Sequence, residues 1–464
     1  MHMLIKNAGI VTNGKLETTD IYIRDGKLER IGKNPEISLT TCNTIDAGGL
    51  IVLPGGVDPH VHLHLNTPAG YSADDFRTGS EAALRGGTTT IIDFVTPHKG
   101  QSLVDALDER IAEATGSIID YSFHVSPVEW RTTTAKEIET CIERGFTSFK
   151  VYMAYQDSIG LKEDALFKVM QSVAKAGGIV TAHCEMGDAI DNLRNSYFRE
   201  GKVSPLYHAL SRPPETESNA VKKAIELAAK ASCPLYIVHV SSAESLQHIR
   251  KAQLNNQKVF AETCPHYLVL NESEYQGAFD QTAAFVMSPP LRKKTDNEAL
   301  WEAIHAKVVQ TIGTDHCPFT LSQKSAGRND FRKIPNGVPG IGHRLNLLYS
   351  KGICLRNDFD FDQLVNVFAT NPAKIFGIYP QKGAIEVGSD ADLVLYNIRI
   401  PEQDLPDTSS SQYDTDIYKT IKTKGIPEMV LFRGEVVVDK GIVIHQLKGR
   451  LLTRGLFDNK TGCH

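Results

Sequence analysis

Residues 56–65 have the sequence GVDPHVHLHL, in which His60, His62 and His64 occupy every second position. Side chains two residues apart on a β-strand point to the same face, so an extended segment would direct all three imidazoles to one side. The apolar run GGLIVLPGG precedes this segment, and its flanking glycines predict a buried strand. The histidines are therefore expected at the C-terminal end of that strand, where parallel α/β folds place their chemistry.

Seven further β-rich runs follow, and amphipathic stretches such as NAVKKAIELAAKAS separate most of them. They are TTTIIDFV (88–95), DYSFHV (120–125), SFKVYM (148–153), IVTAHCE (179–185), PLYIVHVSS (234–242), KVFAETCP (258–265) and VVQTIGTDHCP (308–318). Strands that alternate with helices indicate a parallel sheet. With the run before His60 there are eight, which predicts an α/β fold of the (β/α)₈ TIM-barrel type.

Both chain ends have a different sequence pattern, in which short strands of alternating apolar and polar residues are joined by tight turns, as in DIYIRDGKLERIG and MVLFRGEVVVDKGIV. We expect these ends to meet in one small β-sandwich formed by residues 1–53 and 381–445. Residues 54–380 form the predicted barrel. Residues 446–464 are interpreted as a C-terminal tail and a candidate contact with a neighbouring subunit.

The overall composition excludes several classes of protein. The chain has 464 residues, 41% of them hydrophobic, and its 50 Lys and Arg against 55 Asp and Glu give a net charge of −5. With no basic run, no nucleic-acid partner is expected. No apolar stretch is long enough to span a bilayer, and no signal peptide is evident. The eight cysteines form no C-x-x-C pair, which favours a reduced, cytoplasmic compartment.

Four of the β-rich runs carry a single polar side chain near their C-terminal ends. Lys150 lies in TSFKVYM, His183 ends IVTAH, His239 ends LYIVH and Asp315 ends TIGTD. Each would reach the mouth of the barrel from a different strand and converge there with His60 and His62. A catalytic zinc ion takes about three protein ligands, so these six groups predict two ions, roughly 4 Å apart, sharing a hydroxide.

Lys150 is the unusual member of this set, because an ammonium group beside two cations is unfavourable. A lysine carboxylated by CO₂ becomes an anion whose two oxygens can bridge a metal pair. The alternative is an ordinary lysine that is paired or extends to solvent.

These motifs resemble those of a known family. The segments GGVDPHVHL, ADDFRTGSEAALRGGTTTIIDF, TSFKVYMAY, HALSRPPETES, PLYIVHVSS, ETCPHYL, MSPPLR, TDHCPF and PNGVPG are similar to the cyclic amidohydrolases, specifically the dihydropyrimidinase–hydantoinase branch, over almost the whole chain. The resemblance implies a barrel with two Zn²⁺ per subunit, or other divalent ions, and a carboxylated lysine. It also implies a homotetramer.

The resemblance also implies a role for each ligand. His60 and His62 would hold one ion together with Asp315, His183 and His239 would hold the other, and carboxylated Lys150 would bridge them. His64 matches no ligand position and is interpreted as a residue that lines or supports the site.

The substrate implied is a small cyclic ureide or imide. Tyr155 would donate its hydroxyl to the carbonyl under attack, and backbone groups of Ser288 and Asn336 would bind the cyclic amide. Asp315 would take the proton of the attacking hydroxide and pass it to the leaving nitrogen, so that a dihydropyrimidine or 5-substituted hydantoin opens to an N-carbamoyl amino acid. The structural alternatives are a core tyrosine and two turn residues.

Three alternative functions remain at this point. A dihydroorotase of this family has an arginine where His64 stands, and Tyr155 favours the dihydropyrimidinase branch over an allantoinase. A non-catalytic, dihydropyrimidinase-like scaffold is disfavoured because all six ligand positions are filled. The sequence leaves open which of dihydrouracil, dihydrothymine, hydantoins or allantoin is the substrate, and its enantioselectivity.

Overall fold

The computed structural model describes residues 2–12, 14–33, 42–405, 412–458 and 460–462. Its strands are β1 (His2–Thr12), β2 (Lys15–Arg24), β3 (Lys27–Ile31), β4 (Asn43–Asp46), β5 (Ile51–Pro54), β6 (Gly56–Val61), β7 (Asn66–Thr67), β8 (Gly70–Tyr71), β9 (Thr88–Val95), β10 (Asp120–Val125), β11 (Ser148–Tyr152), β12 (Ile179–His183), β13 (Leu235–Ile237), β14 (Val259–Thr263), β15 (Thr311–Ile312), β16 (Leu393–Asn397), β17 (Gln403–Asp404), β18 (Lys422–Thr423), β19 (Ile426–Phe432), β20 (Glu435–Asp439) and β21 (Ile442–Val443).

The α-helices are α1 (Phe76–Arg85), α2 (Leu103–Glu113), α3 (Thr134–Glu143), α4 (Glu163–Lys175), α5 (Gly187–Arg199), α6 (Leu206–Leu210), α7 (Pro214–Ala231), α8 (Ala243–Leu254), α9 (Pro265–Val269), α10 (Phe279–Thr282), α11 (Lys294–His305), α12 (Leu321–Lys324), α13 (Arg344–Leu347), α14 (Phe361–Val365) and α15 (Asn371–Ile375). Short 3₁₀ turns cover Ala114–Gly116, Glu272–Tyr275, Ala283–Phe285, Ser325–Gly327 and Phe331–Lys333, and π-turns cover Leu348–Ile353 and Asn366–Thr370. No helix among the described residues combines the length and apolar composition that crossing a membrane requires.

Eight parallel strands form the barrel, in the order β6, β9, β10, β11, β12, β13, β14 and β15. A parallel bridge between Val61 and His316 joins its two ends, and the His62 amide donates to the His316 carbonyl over 2.8 Å. The strands are buried along their whole length, as expected where helices cover the outside and side chains fill the inside. The predicted barrel is confirmed.

The helices between these strands cover the barrel with one apolar face each. In α4, Leu166, Val169, Met170 and Val173 are buried, at the i, i+3, i+4, i+7 spacing of an amphipathic helix. The Asp75 carboxylate caps α1 by accepting from the amides of residues 77 and 78, which fixes where that helix begins.

A second sheet comes from both chain ends, in the order β21, β20, β19, β16, β5, β1, β2 and β3, with β4 paired to β1. This confirms the predicted small β domain built from both ends. One strand assignment was wrong: the apolar run before His60 lies in this sheet as β5, between β1 and β16, and the barrel strand is β6. Gly55 separates the two strands and Gly56 begins β6. A Cβ at Gly55 would lie only 2.3 Å from Thr89, and one at Gly56 only 2.3 Å from Phe368.

The C-terminal tail crosses the N-terminal ends of the barrel strands of its own chain. The Leu452 amide donates to the Tyr121 carbonyl over 2.8 Å, and the buried Arg454 guanidinium donates to Ser148 Oγ over 2.8 Å. The Phe457 ring packs on Phe260 at 5.8 Å between centroids. These contacts attach the described tail to its own subunit, and contact with a neighbouring subunit stays a prediction.

Candidate metal centre and substrate site

Three predicted ligands lie together where the barrel closes. His60 is near the end of β6, His62 follows it, and Asp315 comes three residues after β15. Asp315 Oδ1 is 3.1 Å from His60 Nε2 and 3.3 Å from His62 Nε2. One ligand atom from each residue lies within 4.8 Å of the others, so the three form a candidate metal site. Asp315 has a positive φ of 48°, a strained conformation that is typical of functional sites.

A second pair of imidazoles lies next to this group. His183 ends β12, and His239 follows β13 with a positive φ of 42°. His183 Nδ1 is 2.9 Å from His239 Nε2, so the two rings direct one nitrogen each at a common point. The His239 ring centroid is 5.4 Å from that of His60, which brings both histidine pairs into one cluster.

Lys150 lies in this cluster, on β11. Its side chain is buried, with Nζ 3.5 Å from His60 Nε2 and 4.6 Å from the centre of the Phe94 ring. Burial lowers the pKa of Lys150 to about 8, although Asp315 opposes this shift. The fraction of neutral amine near neutral pH is therefore larger than for an exposed lysine.

The predicted substrate residues lie on three loops, one of which adjoins this cluster. The Tyr155 ring is 5.4 Å from that of His183, and Tyr155 has a positive φ of 61°. Ser288 and Asn336 lie on loops that a hydrogen bond joins, from the Gly337 amide to the Val286 carbonyl over 3.0 Å. A cavity of about 140 Å³ adjoins Tyr155. A larger cavity, of about 660 Å³, lies under the opposite end of the barrel and includes none of the predicted site residues.

His64 lies apart from the other histidines. Strand β6 ends at Val61, and the positive φ of 50° at His64 turns its side chain away. The ring stacks on Tyr71 at 4.0 Å, and Nδ1 contacts the Glu113 carboxylate. The expectation that three imidazoles share one strand face was wrong, because the strand is too short to hold all three.

Comparison with known proteins agrees with this architecture. The model of the amidohydrolase family matches residues 51–441. This chain belongs to the amidohydrolase family. It is 40% identical to a D-hydantoinase of Ralstonia pickettii over 461 residues, which covers 98% of this chain and 99% of that protein. It is 41% identical to a D-hydantoinase of Geobacillus stearothermophilus over 447 residues, 96% and 94% of the two chains.

Solved structures give the same result for the fold of this amidohydrolase. The crystal structure of dihydropyrimidinase from Brevibacillus agri NCHU1002 matches with a TM-score of 0.96 at 38% identity, over 99% of this chain and 100% of that one. The predicted membership of the dihydropyrimidinase–hydantoinase branch is confirmed, and with it the prediction of an enzyme.

Two buried carboxylates that sequence reasoning missed orient the histidines of this amidohydrolase. His60 Nδ1 is 2.6 Å from Glu262 Oε1, and His183 Nε2 is 2.8 Å from Glu185 Oε2. A ring nitrogen that donates to a carboxylate leaves the other nitrogen with a free lone pair, which is the form that binds a metal. Both inward nitrogens, His60 Nε2 and His183 Nδ1, belong to the cluster described above. This arrangement fits divalent metal ions.

Arg212 in turn holds Glu185 in its ionised form. Its Nη1 is 2.5 Å from Glu185 Oε2, and both side chains are buried. Burial opposes ionisation of Glu185, but the Arg212 charge and the His183 hydrogen bond outweigh it and lower the pKa of Glu185 to about 2. A sequence signal existed, because Glu185 stands two residues after a predicted ligand at the end of an apolar strand.

Proposed function

We propose that this amidohydrolase opens dihydropyrimidine or 5-substituted hydantoin rings to N-carbamoyl amino acids. The observation that carries the proposal is the convergence of four histidines, Lys150 and Asp315 at the C-terminal mouth of the barrel. The similarity to hydantoinases and dihydropyrimidinases over nearly the full chain supports the same substrate class.

We propose that His60, His62 and Asp315 hold one divalent ion and that His183 and His239 hold a second. Carboxylated Lys150 would bridge them, which its burial and lowered pKa support. Zinc is the metal we propose, because imidazole and carboxylate ligands suit it. Two such ions, when bound, supply Lewis-acid polarisation of the ring carbonyl and lower the pKa of water.

Side chains and backbone groups of the protein would transfer the proton, donate a hydrogen bond to the carbonyl oxygen and bind the ring. Asp315 would accept the proton of the attacking water and deliver it to the ring nitrogen as the C–N bond breaks, leaving a carboxylic acid and a terminal ureido group. The Tyr155 hydroxyl would donate to the carbonyl oxygen as it gains negative charge. Backbone groups of Ser288 and Asn336 would hold the cyclic amide in register with these atoms.

The test is a comparison of kcat/KM for dihydrouracil, hydantoin, 5-phenylhydantoin, allantoin and dihydroorotate. We expect one of the first three to be best, with allantoin and dihydroorotate lower by about 100-fold or more, because a site shaped for one ring leaves polar groups unpaired with another. A preference for allantoin or dihydroorotate would contradict the proposal.

Substitution of Glu185 by glutamine is expected to lower metal occupancy and kcat/KM by about 10- to 100-fold, because His183 loses the carboxylate that fixes its tautomer. Elemental analysis and steady-state kinetics measure the two effects. Glu163→Gln is the matched control, since the exposed Glu163 pairs with Lys223 at the surface and should behave as wild type. Full activity and full metal content in Glu185→Gln would refute the role of this carboxylate.

We also propose a homotetramer in the cytoplasm. The family resemblance supports the tetramer, and the exposed Ile442, Ile444 and Leu456 near the C-terminus supply apolar surface for subunit contacts. The cysteines support a reduced compartment, because all seven within the described residues are free thiols.

A further inference from the structure

A buried lysine connects the two loops on which the cyclic amide would rest. These loops are the Ser288 loop (residues 285–291) and the Asn336 loop (residues 335–338). Lys324 ends α12, and its side chain is completely buried. Its Nζ donates to the carbonyl of Val286 over 3.0 Å, to that of Pro335 over 3.2 Å and to that of Gly337 over 3.0 Å.

These three carbonyls lie directly beside the residues proposed to bind substrate. Pro335 and Gly337 flank Asn336 on both sides, and Val286 lies two residues before Ser288. An ammonium group has three N–H donors, and all three are used. Lys324 therefore fixes the backbone immediately around both predicted contact points.

The environment of Lys324 is unusual for a buried lysine. Within the described parts of the chain, no carboxylate forms an ion pair with it, whereas the buried Lys382 has three. Burial accordingly lowers the pKa of Lys324 to about 7. A charge without a counter-ion is costly to bury, so the three carbonyl bonds must supply its stabilisation.

Other buried side chains hold only one of the loops. The Tyr267 hydroxyl donates to the Pro289 carbonyl over 2.6 Å, and His208 Nε2 is 2.8 Å from the Met287 carbonyl. Both contacts fix the Ser288 loop and leave the Asn336 loop untouched. Lys324 contacts both loops at once and, together with the direct hydrogen bond from the Gly337 amide to the Val286 carbonyl, sets their separation.

We infer that Lys324 is a positioning residue for substrate: it holds the Ser288 and Asn336 loops at the spacing that lets their backbone groups bind one cyclic amide together. The inference rests on the proposed function, because it takes these loops as the substrate contacts. Lys324 itself touches no reacting atom, so its loss should weaken binding of the ring more than it slows the chemical step.

The test compares Lys324→Met with wild type in steady-state turnover of the best cyclic amide. We expect KM to rise about tenfold while kcat stays within about twofold, because interactions made equally in ground and transition states affect KM alone. The matched control is Ile138→Ala, which creates a cavity at a buried position of the outer helix α3. It should lower stability but not KM, because unfolding reduces the amount of active enzyme without altering the site.

A second variant covers the case in which Lys324→Met does not fold. Lys324→Gln stays polar but is one atom shorter and has two N–H donors, so it cannot reach all three carbonyls; KM should rise about threefold. Wild-type KM in either folded variant overturns the inference.

Backbone hydrogen exchange gives a readout independent of turnover: residues 285–291 and 335–338 should exchange faster in the Lys324 variants than in Ile138→Ala. Absence of turnover in wild type contradicts the proposed function, whereas unchanged exchange in these loops contradicts only the role of Lys324.

Discussion

Substitution of Lys150 by alanine is expected to lower kcat/KM by on the order of 1,000-fold, about 4 kcal/mol of transition-state stabilisation, and to reduce metal content from two ions to one or fewer. The reason is positional. Lys150 Nζ lies in the cluster 3.5 Å from His60 Nε2, where a carbamate would join the two proposed metal positions. Elemental analysis and steady-state kinetics on the same preparation measure both effects.

Three comparisons test whether this result comes from loss of the bridging carbamate. Acetate or propionate should restore part of the activity of Lys150→Ala, because a small carboxylate can occupy the space left by the side chain. Lys150→Arg should stay inactive, since a guanidinium cannot be carboxylated and keeps its charge. Lys175→Ala, at the exposed end of α4, is the control and should behave as wild type. Two metals and wild-type activity in Lys150→Ala would rule out the bridging role.

The barrel could be predicted because each of its strands is an apolar run with helices on both sides. Counting residues 51–54 as a barrel strand was wrong, because periodicity does not show which sheet a strand joins. Ile51–Pro54 is as apolar as a barrel strand, yet it pairs with β1 and β16. Only the close contacts at Gly55 and Gly56 reveal where the chain passes from one sheet to the other.

The six proposed ligands were accessible to sequence reasoning because each lies within or shortly after an apolar run. The groups that support them were less visible. Glu262 contacts His60 from a strand two hundred residues later, a pairing that depends on how the barrel closes. The prediction for His64 failed because side chains alternate between two faces only within a strand, and this strand ends at Val61. Lys324 has no sequence signature at all, since its partners are backbone carbonyls.

Substitution of Lys382 by methionine is expected to lower the free energy of unfolding by about 3–5 kcal/mol, because it leaves buried carboxylates without their cation. Lys382 Nζ lies 2.6 Å from Asp120, 3.0 Å from Asp390 and 2.8 Å from Asp392, and all four side chains are buried. Asp120 begins barrel strand β10, and Asp392 directly precedes β16 of the second sheet, so the ammonium connects the two sheets. Urea denaturation at pH 7 measures the loss.

The pH dependence separates this electrostatic cause from simple loss of packing. In Lys382→Met the carboxylates repel one another, so their pKa values in the folded state should rise above the unfolded values. Folding then takes up protons, and the stability of the variant relative to wild type should recover as the pH falls from 7 towards 4. Lys440→Met, at an exposed turn, serves as the control and should stay within about 0.5 kcal/mol of wild type. If the stability difference between Lys382→Met and wild type does not change with pH, Lys382 contributes through the packing of its side chain. If that difference is below about 1 kcal/mol, the ion cluster does not hold the two sheets together.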